Sequence, residues 1–139
     1  MRLAGFEMGW GRPVPESARL LVDRYRIEHA AAAVSQYLAM SPRPQGIFAA
    51  SDDLAIGFIL GGIALGIRPG LDYQIIGFDG QRMGQELTDG PLTTVEVPAQ
   101  AMGAKGAQFL AERILDPDQS VRRMSLGCTL REGATVRDR

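Results

Sequence analysis

The chain has 139 residues, is 45% hydrophobic and 22% charged, and sets 15 basic residues against 16 acidic ones. That is one domain of ordinary size and globular composition, which excludes a disordered chain and a strongly basic nucleic-acid module. No apolar run approaches the roughly 20 residues that cross a bilayer. Glu7 interrupts the N-terminal stretch, where a signal peptide is continuously apolar, so a cytoplasmic location is expected.

The elements follow in chain order. Arg2–Phe6 reads as the tail of a helix that stops in the glycines and prolines before Pro15. Ala18–Tyr25 reads as a strand. Ile27–Met40 is Ala-rich and halted by Pro42 and Pro44, which predicts a helix. Gly46–Ala50 is a short apolar run of the kind that fills a buried parallel strand. A helix follows over Leu54–Leu65, with Gly66 where a left-handed cap belongs. Tyr73–Phe78 is the next strand, leading to a short helical piece near Gln81–Leu87. Pro91–Val97 is a strand, Pro98–Leu115 a helix with proline in its first turn, and Val121–Glu132 a final strand. Helices alternating with short apolar strands predict an α/β fold with a doubly wound parallel sheet.

In such sheets ligands bind beyond the carboxyl ends of the strands. Three predicted ends carry polar or aromatic groups: Tyr25, then Ser51-Asp52-Asp53, then Asp79-Gly80. All three should share one edge. Each has a plainer structural role beside the functional one. Ser51 or Asp52 can be the N-cap of the following helix, Asp79 can serve the turn before Gly80, Tyr25 can be an edge core residue, and Arg2 a solvated charge. His29 is expected at a surface or interface.

Catalytic patterns are missing. The lone cysteine, Cys128, and the lone histidine, His29, lie far apart in sequence. A zinc site or Cys–His nucleophile pair is therefore unsupported, and a buried inert thiol is expected. The paired acids suggest a phosphate-accepting receiver domain, but the only lysine, Lys105, falls inside a helix rather than at a strand end. Gly103 and Gly106 share that helix, which makes them packing positions rather than a phosphate cradle. No nucleophile elbow, Walker loop or zinc-protease motif occurs. No enzyme activity, cofactor or metal is expected.

Five segments in order carry a resemblance: Arg2-Leu-Ala-Gly-Phe6, Gly46-Ile-Phe-Ala-Ala-Ser-Asp-Asp-Leu-Ala-Ile-Gly57, Ile75-Ile-Gly-Phe-Asp-Gly80, Pro91-Leu-Thr-Thr-Val95 and Leu130-Arg-Glu-Gly-Ala-Thr135. The chain resembles the C-terminal half of the ligand-sensing core of LacI/GalR-type transcriptional regulators, which is itself similar to the periplasmic sugar-binding proteins. The resemblance implies two subdomains around a cleft. Residues 18–95 and 121–137 would form the second subdomain, while 1–8 and 98–115 would be remnants of the first. The DNA-reading headpiece would be absent.

It also implies ligand-binding roles for Arg2, Tyr25, Ser51 and Asp79, a small sugar-like or nucleoside-like effector, and pairing through the second subdomain. Departures are Ser51, where Asn is common, and Val97, where a polar residue is common. The alternative reading is the solute-binding protein of a sugar uptake system.

The sequence adds its own argument for pairing. No position in Leu54–Leu65 is charged, and a helix apolar all round is covered on both sides. Ala55, Phe58 and Gly62 would face the sheet. Ile56, Ile59, Leu60 and Ile63 would then face a second copy, with Ile27–Met40 contributing to a homodimer. On the Pro98–Leu115 helix, Met102, Phe109, Leu110 and Ile114 form an apolar side expected in an intermolecular contact.

Overall fold

The computed structural model describes residues 2–87 and 90–137. Four helices and four strands follow along these residues: α1 (Arg2–Trp10), α2 (Ile27–Leu38), β1 (Gly46–Phe48), α3 (Asp52–Ala64), β2 (Gln74–Asp79), β3 (Thr93–Glu96), α4 (Ala99–Leu115) and β4 (Thr129–Arg131). Short 3-10 turns occupy Glu16–Ala18 and Arg82–Gln85. The strand order is β1-β2-β3-β4. β1, β2 and β3 run parallel, with Ile47 beside Ile75 and Phe78 beside Val95, while β4 closes the edge antiparallel to β3.

Alternation along β2 sends Ile75 and Gly77 to one face and Ile76 and Phe78 to the other. The first face carries the core. Val34 and Tyr37 of α2, Ala55, Ile56, Phe58 and Ile59 of α3, and Tyr73, Ile75 and Leu92 are all buried together. α2 lies against α3 with no room between their backbones. A side-chain carbon on Gly57 would collide with the Ile27 carbonyl, and one on Gly61 would come 2.7 Å from the Ala31 carbonyl oxygen. The rings of Tyr37, Phe58 and Tyr73 meet edge to face above the sheet. Tyr37 donates its hydroxyl to the Pro44 carbonyl at 2.8 Å, and burial pushes its pKa above the usual tyrosine value.

α1 covers the opposite face. Phe6 stacks on Phe48 with ring centroids 5.3 Å apart. Helices on both faces of a mainly parallel sheet give the doubly wound layering expected of the sequence.

The C-terminal tail is sewn into the body by Thr135. Its hydroxyl donates to the Ile75 carbonyl at 2.7 Å and accepts from the Thr93 amide at 2.9 Å, and its carbonyl accepts from the Ile75 amide at 3.0 Å. Gly133 passes so close to Pro91 and Leu92 that no side chain fits there.

Two predicted strands are corrected. Ala18–Tyr25 forms no ladder: no backbone hydrogen bond joins it to β1. Its Arg19 is instead anchored locally, donating to the Val14 carbonyl at 2.7 Å and pairing with Glu7 at 3.4 Å. A cavity of about 330 Å³ separates this segment from β1 and the core below. In Val121–Glu132 only Thr129–Arg131 is a strand. The part before it lies beside α4 rather than in the sheet: Arg122 pairs with Glu112 at 2.8 Å and lies over the Phe109 ring.

α4 itself has no buried residue. Met102, Leu110 and Ile114 are exposed on it. The packing role expected of Gly103 and Gly106 is also corrected, since an added side chain at either position meets nothing within 4 Å. Cys128 is exposed rather than buried, because it ends the same outlying segment.

Candidate functional site

The carboxyl ends of β1 and β2 are neighbours in the sheet, and their polar residues converge there. Arg2, at the start of α1, reaches across to both. Its guanidinium pairs with Asp79 Oδ1 at 2.7 Å and donates to the Ala50 carbonyl. The same group lies over the Phe78 ring, 4.2 Å from its centroid. Such stacking suits the planar guanidinium and fixes its orientation. Arg2 is therefore a partnered residue and not a freely solvated charge.

Asp79 sits at φ 118°, the only described non-glycine residue with positive φ, and Gly80 follows at φ 77°. The chain turns sharply there, which leaves the Asp79 carboxylate at the rim, partly exposed.

Ser51 follows Ala50 and is nearly buried. Its hydroxyl oxygen accepts from the Leu54 amide at 3.3 Å, so Ser51 is the N-cap of α3. The hydroxyl proton is still available to an acceptor beyond the helix. Asp52 is not the cap. Its carboxylate is fully buried, accepting from the Thr94 hydroxyl and from the Gln81 amide, each at 2.6 Å.

The structure thus brings Arg2, Ser51 and Asp79 to one rim. Tyr25 stands apart from that cluster. It is 63% exposed and lines the cavity beside β1, where Phe6, Phe48 and Ala50 form other walls. Without a strand beneath it, Tyr25 is carried by an irregular segment and does not complete the cluster.

Sequence reasoning missed the aromatic floor. Trp10, Phe6, Phe48 and Phe78 form a continuous ladder, with neighbouring ring centroids 5.3 to 6.5 Å apart, and Arg2 lies over its last ring. The signal was the register that sets Phe48 and Phe78 on the same face, two residues out of phase across adjacent strands.

The proposed pairing surface needs correction. Ile56 and Ile59 are each 1% exposed and belong to the interior, because α2 already covers that side of α3. Leu60 at 48% and Ile63 at 38% remain at the surface. Leu65 and Leu71 are exposed as well. His29 is partly buried on α2.

The arrangement is an α/β domain whose polar groups gather beyond its parallel strand ends, the usual ligand edge of this architecture. A model of the periplasmic binding protein-like domain matches residues 2–136, and the chain belongs to that family, in the form carried by the ligand-sensing core of LacI/GalR-type regulators.

The HTH-type transcriptional repressor PurR of Vibrio atlanticus (strain LGP32) is 26% identical over 138 residues, covering 98% of this chain and 41% of the repressor. A LacI family transcriptional regulator from Enterococcus faecalis V583, solved with bound ribose, is 28% identical, with a TM-score of 0.81 over 97% of this chain and 48% of its own. A probable transcription regulator from Thermus thermophilus is 31% identical, with a TM-score of 0.79 over 99% of this chain and 53% of its own. The chain spans about two fifths of the length of the curated relatives it matches. Among the described residues no helix is long and apolar enough to cross a membrane.

Proposed function

We propose that this chain is the effector-binding and dimerisation portion of a bacterial transcriptional regulator, and that it supplies one wall of the cleft for a small sugar-like or nucleoside-like ligand. The observation that carries this reading is the Arg2–Asp79 pair at the strand ends, oriented over Phe78 and beside Ser51. Adjacent hydroxyls of a polyol suit it. The carboxylate accepts from two of them, the guanidinium donates to ring or hydroxyl oxygens, and each charge-assisted bond is worth about 1.5–3 kcal/mol. The ribose-bound relative supports the ligand class.

In this reading residues 18–95 and 121–137 are the second subdomain, and 1–8 with 98–115 belong to the connections with the first. Operator DNA is reached only through a helix-turn-helix headpiece, in a cytoplasmic protein with no catalytic role. Ligand acts by binding one subunit arrangement better than another. A homodimer forms through the exposed side of α3, around Leu60 and Ile63, which lies beside a hollow of about 180 Å³ that also takes in Pro69 and Leu87. Relatives named as repressors favour this over a solute-binding protein of an uptake system.

Light scattering tests the pairing. A dimer at micromolar concentration that becomes a monomer in Leu60→Glu is expected, and a monomeric parent chain contradicts it. Thermal-shift screening against D-ribose and nucleosides tests the ligand class.

A further inference from the structure

We propose that Asp52 is a positioning residue: it holds the turn after β2 so that Asp79 keeps its strained conformation and its carboxylate stays at the rim.

The geometry is specific. Asp52 is the first residue of α3 and is fully buried. Its two oxygens are divided between two elements. Oδ1 accepts from the Thr94 hydroxyl of β3, and Oδ2 accepts from the backbone N–H of Gln81, each at 2.6 Å. Short bonds to an ionised carboxylate are about twice as strong as neutral ones. Gly77 of β2 lies directly beneath, and a side chain there would collide with Oδ1. One carboxylate therefore joins the start of α3, β3 and the residue two beyond Asp79.

Asp79 needs such an anchor. A non-glycine residue at positive φ is unfavourable and persists only where its surroundings impose it. Upstream, β2 fixes Asp79 through its ladder with Glu96. Downstream, the first firm tether is the Gln81 amide on Asp52. Gly80 gives no resistance of its own, since its φ of 77° is open to glycine. The Arg2–Asp79 ion pair is partly exposed on both sides, and exposed pairs restrain little. Asp52 touches no ligand in this arrangement; it acts through Asp79.

A ligand-free double-mutant cycle separates this role from a general contribution to folding. Thermal unfolding of the full chain is measured for Asp52→Asn in three backgrounds: parent, Asp79→Gly and Asp79→Asn. Asn keeps the shape of Asp52 and removes its charge. Glycine at 79 abolishes the backbone strain, whereas asparagine keeps it without the ion pair. Asp52→Asn is expected to lower Tm by several degrees in the parent and in Asp79→Asn, and by more in Asp79→Gly, where no strain is released when the clamp is lost. Equal losses in all three backgrounds overturn the proposal, because Asp52 would then serve the fold alone. An equal change of that loss in both Asp79 variants also overturns it, because the coupling would run through charge.

Amide exchange in the parent chain gives a second readout that needs no variant. The Gln81 amide is expected to exchange at least about 100-fold slower than unstructured amides, and exchange at an open-loop rate contradicts the clamp. That Asp79 meets an effector rests on the function proposed above. Neither experiment contains a ligand, so failure of that reading and failure of the clamp are distinguishable.

Discussion

The body of the molecule and its α4 arm are built from similar residues and differ in what surrounds them. α3 and α4 both contain paired glycines and several large apolar side chains. In α3, Gly57 and Gly61 admit the α2 backbone, and Ile56, Phe58 and Ile59 disappear into the core. In α4, Gly103 and Gly106 face open space, and Met102, Leu110 and Ile114 stay exposed. Composition alone does not separate a core helix from an outlying one. The difference lies in whether an adjacent element approaches within the reach of a missing side chain.

Two pairs of substitutions test that contrast, the pair with the larger expected effect first. Ile56→Ala should be the most damaging, costing about 2–5 kcal/mol because the buried site cannot collapse fully. Ile114→Ala should stay within about 0.5 kcal/mol. Denaturant unfolding of the pair measures both, and equal losses would mean that α4 is packed in solution.

Gly57→Ala should cost about 1–3 kcal/mol by forcing α2 away. Gly103→Ala should stabilise by up to about 1 kcal/mol, the ordinary gain in an exposed helix. Opposite signs of the two Tm shifts are the expected result.

Ser51→Ala should lose about 1 kcal/mol with the N-cap bond to Leu54. A chemical melt checks it, with Ser51→Asp as the variant that restores a cap. Arg2→Ala should change stability little, by under about 1 kcal/mol, since its ion pair with Asp79 is partly exposed. If the rim is a ligand site, its loss appears in binding and not in the melt. A large fall in Tm would instead make Arg2 a structural tether between α1 and the sheet.

Much of this was legible in the residues. Gly46–Phe48, Gln74–Asp79 and Thr93–Glu96 formed strands where short apolar runs sat between turn residues, and the α2 and α3 boundaries fell within a few positions of those expected. Local signals sufficed because those runs pair with one another. They failed for Ala18–Tyr25, where Leu20-Leu21-Val22 has strand character but Arg19 is held by Val14 and Glu7. They failed again before Thr129, where the chain lies beside α4 and Arg122 pairs with Glu112.

The rim was anticipated for Ser51 and Asp79 because strand ends converge in this architecture, and for Arg2 only through the family resemblance. Tyr25 fell outside their cluster with the loss of its strand. Asp52 was read as a helix-cap candidate. Its clamp joins residues 29 and 42 positions away, Gln81 and Thr94, and no spacing rule exposes that. Ile56 and Ile59 were assigned to a partner because helical periodicity shows that a face must be covered, without saying by what.

The central claim is that the Arg2–Ser51–Asp79 rim is a wall of a small-molecule cleft. Amide chemical shifts of the isotope-labelled chain, titrated with D-ribose and then with nucleosides to tens of millimolar, test it most directly. The account predicts saturable changes confined to Arg2, Ala50, Ser51, Asp79 and Gly80, suppressed in Asp79→Asn. Changes centred elsewhere, or none with any of these ligands, would contradict it.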